Sequence, residues 1–234
     1  MAMANTDILS GDALHRATGP MTPGTGPVIV RRLGRADYAA VWARMQAFTA
    51  HRTPATGDEL WLVEHPPVYT LGRNGKLEHV LNPGAIPVVH TDRGGQVTYH
   101  GPGQLVVYCL LDLARRGMGV RRLVTLLEEA VVDVLAGHGI SGAGRRDAPG
   151  VYVHGRKIAA IGLRIKRGCS YHGLSLNVNM DLEPFTRINP CGYPDLRVTQ
   201  LRDEGGPGQP QDSANQLVTR LLDGLARCER DPTT

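Results

Sequence analysis

The sequence predicts an α+β fold: a single domain of mixed, largely antiparallel sheets flanked by helices. Three features predict it. Strand-like runs outnumber helical ones. "GVYVHGRKIAAIGLRI" reads as two strands around a turn at His154-Gly155, and "QLVVYCLLDL" is apolar on both faces, as a fully covered strand must be. In order, Val28 to Leu33 reads as a first strand. Arg35 to Arg52 follows as a helix, with Tyr38, Val41, Trp42, Met45 and Phe48 at helical spacing. "ELWLVEH" is a short strand stopped by Pro66-Pro67, and "IPVVH" is another. Val120 to His138 is the clearest helix: Val120, Leu123, Leu127, Val131 and Val134 line one face and Gly139 supplies a stop. "SLNVNM" is a strand that His172 opens. "DEGGPGQPQDS" is a loop, and Ser213 caps a last helix carrying Leu217, Leu221, Leu222 and Leu225.

A chain of 234 residues suffices for one substantial core, expected over residues 28–234. Residues 1–27, rich in Gly, Pro and Thr, read as a flexible extension. They lack a basic segment followed by an apolar one, so no signal peptide is expected. No run of about 18 apolar residues exists to span a membrane. Cys109, Cys169, Cys191 and Cys228 form no C-x-x-C pair, which points to reduced thiols in a cytoplasm. A net charge of +4 is too mild for a dedicated nucleic-acid binder. Arginine pairs recur at 31–32, 115–116, 121–122 and 145–146, as solvated surface or as a basic face for an acidic protein.

Four stretches hold residue types that do chemistry. "RGGQVTYHGPGQ", Arg93 to Gln104, packs polar side chains among glycines. It is either a wide hairpin loop or a ligand loop, and it matches neither the Walker A nor the G-x-G-x-x-G pattern, so no nucleotide is expected. In "HGRKIAAIG", Lys157 opens an apolar strand; turned outward it is surface, turned inward it is a candidate acid or base. In "HGLSLNVNM", Ser175, Asn177 and Asn179 share one face, either a solvated one or a site. In "INPCGYPD", Cys191 lies in no apolar run and close to no second cysteine. It is a buried inert thiol or a nucleophile, with Lys157, His100, His154 and His172 as candidate partners. Cys169-x-x-His172 lacks a second pair at zinc spacing, so no metal is expected.

Taken together and in this order, "RGGQVTYHGPGQ", "GRKIAAIG", "HGLSLNVNMDL" and "INPCG" resemble the motifs of the lipoyl(octanoyl) transferases, over about Val28 to Tyr193. One departure is Tyr152, where many relatives carry Trp. The resemblance implies a biotin/lipoate protein ligase-like fold and no cofactor. It implies transfer of an octanoyl group from octanoyl-acyl carrier protein to a lysine of apo lipoyl domains. These acceptors belong to the 2-oxoacid dehydrogenase complexes and the glycine cleavage H protein. By the same resemblance Cys191 is the acylated nucleophile and Lys157 its partner. The acyl pocket is implied at Arg93, Gly94, Gly95, Gln96, Val97, Thr98, Tyr99 and His100, at Ala160, Ile161 and Gly162, and at Gly173, Leu174 and Ser175. Ile161, Leu163 and Leu174 are expected to line a tunnel. A thiolate would open the donor thioester, and thioester to amide is downhill, so no ATP is required. Two rivals remain: an ATP-dependent ligase of the same fold, which would not need Cys191, and a non-catalytic binding platform.

Overall fold

The computed structural model describes residues 15–16, 26–145 and 147–230. The expected extension, 1–27, lies outside them apart from 15–16 and 26–27. Eleven strands and three α-helices form among the described residues: β1 (His15–Arg16), β2 (Ile29–Arg35), α1 (Tyr38–Ala50), β3 (Glu59–Glu64), β4 (Val68–Leu71), β5 (Val88–His90), β6 (Val97–His100), β7 (Gln104–Leu110), α2 (Val120–Ala136), β8 (Ala143–Gly144), β9 (Gly150–Val153), β10 (Arg156–Lys166), β11 (Cys169–Asn177) and α3 (Pro210–Arg230). The main sheet runs β1-β2-β3-β7-β11-β10-β9-β8, and a small one runs β5-β4-β6. Pairing is antiparallel except β2 with β3 and β4 with β5. The α+β architecture with mixed, largely antiparallel sheets is therefore as the sequence predicts.

Both faces of the main sheet are covered, which explains why its central strands are apolar throughout. In β3, Leu60 and Leu62 face one core with α2 and α3, whose apolar stripes include Leu123, Leu127, Val131, Leu217 and Leu221. Trp61 and Val63 face the other, against Val41 and Met45 of α1. Asp37 caps α1 by accepting the Ala40 N–H at 2.9 Å, so only two residues separate the end of β2 from the start of the helix.

Several local expectations are corrected. Pro66-Pro67 ends one strand only to begin β4. The Gly-rich stretch is not a wide loop: Val97 to His100 form β6, joined to β7 through Gly103 at φ 85°. A Cβ on Gly103 would lie 1.9 Å from the Asn179 carbonyl oxygen, so only glycine fits that turn. His172 lies inside β11 rather than opening a strand, and Ser175 and Asn177 are buried, so that face is not solvated. Ser213 does not cap α3. The helix begins at Pro210, whose missing N–H is no loss in a first turn, and Ser213 is buried within it with its hydroxyl unpartnered.

The arginine pairs are not uniformly solvated either. Arg31 bonds Glu59, and Asp58 gathers Arg52, Arg115 and Arg116, tying the residues before β3 to those after β7.

Candidate active site

Cys191 lies in a tight turn, Asn189-Pro190-Cys191-Gly192. The Gly192 N–H donates to the Asn189 carbonyl at 2.9 Å. Cys191 itself holds a left-handed backbone, φ 57° and ψ 14°, which costs a non-glycine residue about 1–2 kcal/mol. That conformation presents a half-buried thiol. The Lys157 Nζ donates to its Sγ at 3.2 Å and to the Pro149 carbonyl at 3.0 Å. Lys157 is 5% exposed, and its ammonium also lies 5.2 Å from the centre of the Tyr152 ring. Its backbone is gripped too: Lys157 N–H donates to Arg197 O at 2.8 Å, and Thr199 N–H donates to Lys157 O at 2.9 Å. Of the four candidate partners for Cys191, Lys157 is the one bonded to it. His154 occupies the β9–β10 turn at φ 50°, and His100 and His172 bond elsewhere.

Beside the thiol opens a cavity of ≈ 510 Å³, its mouth included. Thirteen of the fourteen motif-derived pocket residues line it: Arg93, Gly94, Gly95, Gln96, Val97, Thr98, His100, Ala160, Ile161, Gly162, Gly173, Leu174 and Ser175. Strand pairing brings them together, with Ala160 opposite Ser175 and Gly162 opposite Gly173 across β10 and β11. Tyr99 does not line it; alternation along β6 turns it into the small-sheet core with Tyr69 and Phe185. Leu163 is likewise outside the wall and packs on the main core. A smaller recess, lined by Lys157 and Phe185, shares Thr98, Ala160, Ser175 and Cys191 with the first. The thiol thus stands where two cavities meet.

The cavity floor is a buried polar layer that sequence reasoning missed in part. Tyr38 and Tyr108 read as core residues, and Asp92 gave no signal at all. Asp92 accepts from Trp42 Nε1 at 2.8 Å, Gln46 Nε2 at 3.2 Å, His172 Nε2 at 2.9 Å and the Tyr171 hydroxyl. Burial alone would raise its pKa, but the bonds from His172, Tyr171, Gln46 and Trp42 outweigh that and hold it well below the usual carboxylate range. Adjacent strand residues normally point to opposite faces. His172, at φ 59°, breaks the alternation, and so both Tyr171 and His172 reach one carboxylate with their rings stacked. Arg93, buried, donates to Thr70 O and Oγ1, Gly94 O and Gln96 O; burial lowers its pKa. Thr70 then bonds His100 Nε2, and His100 Nδ1 donates to Gln104 Oε1 at 2.7 Å.

Burial, with neighbouring positive groups, lowers the His100 pKa to about 3, and burial lowers that of His65 as well. Their ordinary value is 6.5. Between that value and about 3 the unfolded chain binds protons that the fold refuses, so stability falls as pH falls. Each such histidine steepens the loss by up to about 1.4 kcal/mol per pH unit. The urea midpoint should drop steadily from pH 7 to pH 5, and His100→Gln should flatten that slope. A midpoint independent of pH over this range would refute the assignment.

Comparison with known proteins agrees with this geometry. Residues 37–226 match the lipoyl protein ligase A/B catalytic domain. The chain belongs to that family. An octanoyltransferase of Alkalilimnicola ehrlichii is 63% identical over 206 residues, covering 88% of this chain and 95% of the relative. The family member described here is therefore an enzyme of an acyltransferase family. Its fold resembles that of a bi-partite lipoate protein ligase from Thermoplasma acidophilum, with TM-score 0.67, 16% identity and coverage of 86% and 84% of the two chains. It also resembles a biotin protein ligase from Aquifex aeolicus, with TM-score 0.56, 13% identity and coverage of 86% and 72%. At those identities the likeness concerns the fold. No helix among the described residues is long and apolar enough to cross a membrane, and no group of three or more His, Cys, Asp or Glu among them could hold a metal.

Proposed function

We propose that the enzyme takes an octanoyl group from octanoyl-acyl carrier protein onto Cys191 and passes it to a lysine of an apo lipoyl domain. The observation that carries this reading is the 3.2 Å contact between Lys157 Nζ and Cys191 Sγ at the mouth of the cavity. The ammonium serves as counter-cation to a thiolate. The sulfur attacks the donor carbonyl, and the carrier thiolate leaves with a proton from Lys157. The neutral Lys157 amine then takes a proton from the acceptor lysine as that nitrogen displaces Cys191. The original thiolate and ammonium are restored, with no net proton uptake by the pair. Burial raises the Cys109 pKa to about 12 and raises that of Cys169 too, which favours Cys191 as the reactive thiol. Intact mass after incubation with octanoyl-acyl carrier protein, without acceptor or ATP, should show one octanoyl group. Peptide mapping should place it on Cys191. An adduct on another cysteine, or a requirement for ATP, would refute the reading.

The cavity would then hold the acyl chain, and Gly162 is the position to narrow it. A Cβ there would lie 3.1 Å from Gly94 O and 3.3 Å from Arg93 Cδ. Gly162→Val should shift preference toward shorter donors, at about 0.8 kcal/mol per methylene left unburied. The check is a ladder of acyl-carrier thioesters; an unchanged length profile in a folded variant removes Gly162 from the wall.

A further inference from the structure

The wall of the acyl cavity away from Cys191 has hydrogen-bonding capacity that a plain alkyl chain does not use. Ser175, shared with the thiol's second cavity, marks the reactive end. His172 lies three residues back along β11, roughly 10 Å away at the usual strand rise. It is 1% exposed, lines the cavity, and its Nδ1 has no partner. Because Nε2 is bonded to the Asp92 carboxylate, Nε2 carries the proton; burial favours the neutral ring, so Nδ1 is a bare acceptor. Tyr108 packs edge-on to the same ring, centroids 6.1 Å apart. Its proton is also spent. His65 Nδ1 lies 2.7 Å from the Ala36 carbonyl, which can only accept, so His65 Nε2 accepts from the Tyr108 hydroxyl at 2.7 Å. Tyr108 Oη is left with lone pairs. The nearby cation, Arg93, directs its hydrogen bonds to Thr70, Gly94 and Gln96. His172 and Tyr108 thus form a corner rich in acceptors.

From this we infer a distal polar subsite, His172 Nδ1 with Tyr108 Oη, that accepts a hydrogen-bond donor carried on the acyl chain, specifically a hydroxyl on its far carbons. The inference rests on the proposed acyl-cavity reading and extends the donor class from octanoyl to hydroxylated medium-chain acyl groups. In a wholly apolar tunnel a buried hydroxyl would lower transfer roughly ten- to a hundredfold. Here the two acceptors remove that penalty, and in the His172 corner they gain a partner.

The test uses the full chain and carrier-protein thioesters of octanoate and of its 5-, 6-, 7- and 8-hydroxy isomers, with kcat/KM measured for each. At least one hydroxylated isomer should be transferred within about threefold of octanoyl. Its ratio to octanoyl should fall roughly tenfold in His172→Phe and in Tyr108→Phe. Phe is strained at the left-handed His172 position, so Tyr108→Phe decides if the first variant does not fold. Every isomer falling about tenfold or more below octanoyl in the wild type overturns the subsite, as does an unchanged ratio in the variants. Failure of the wild type to transfer octanoyl itself would instead refute the proposed activity, which separates the two claims.

Discussion

Cys191→Ala should lose octanoyl transfer by about 10⁴- to 10⁶-fold, the scale on which removing a covalent nucleophile acts. The fold should survive, because the turn is held by backbone bonds from Gly192 to Asn189 and from Tyr193 to Pro190, not by the thiol. Alanine even loses some steric bulk at a left-handed position, although its Cβ penalty remains. Cys191→Ser should be nearly as poor, since an alcohol needs a stronger base than the site offers. The partner can be dissected separately. Lys157→Ala should slow iodoacetamide alkylation of Cys191 at neutral pH. Lys157→Arg keeps a cation but cannot shed its proton, and should preserve alkylation better than amide formation. Full turnover by Cys191→Ala would end the covalent mechanism. Equal losses of alkylation and transfer in Lys157→Arg would end the division of roles.

Gly173→Ala should destabilise the protein by about 3 kcal/mol or more. Gly173 lines the cavity, but the position of its missing Cβ is not free space. A Cβ would lie 2.1 Å from the Val107 carbonyl oxygen and 3.2 Å from the Tyr108 Cα. Those atoms belong to β7, the neighbouring strand of a sheet covered on both faces, so neither backbone can retreat. The contrast with Gly162 is direct, since there the added atom meets nothing closer than 3.1 Å, which a shift of a few tenths of an ångström relieves. Urea denaturation compares the two. A Gly173→Ala midpoint within experimental scatter of the wild type would show that the strands can part.

The strand and helix pattern was legible because burial on both faces leaves apolar runs that periodicity reads directly, as in β7 and α2. The contact between Cys191 and Lys157 was legible for a different reason: each looked out of place locally, and the motif order joined them. What stayed hidden depended on contacts across long separations. Asp92 gathers residues from α1 and β11, and nothing near Asp92 in the chain announces it. Tyr38 follows the apolar stripe of α1, so its role in the cavity wall cannot be told from core packing. The Pro149 carbonyl that holds the lysine carries no side-chain signature whatever. Tyr99 was placed with its neighbours by motif, whereas the pleat of β6 turns its side chain into the small-sheet core. Ser213 failed as a cap because Pro210 started the helix one turn earlier.

The grip of residues 197 to 199 on the backbone of Lys157 has a kinetic meaning. Cys191 lies only six residues before Arg197, whose carbonyl receives the Lys157 N–H. The sulfur and the amine therefore belong to one short tether, closed by hydrogen bonds rather than by a covalent link. A tethered amine meets the sulfur at the effective concentration of an intramolecular partner, far above that of any free base in solution. In the proposed cycle the pair would stay assembled while one protein partner is exchanged for the next.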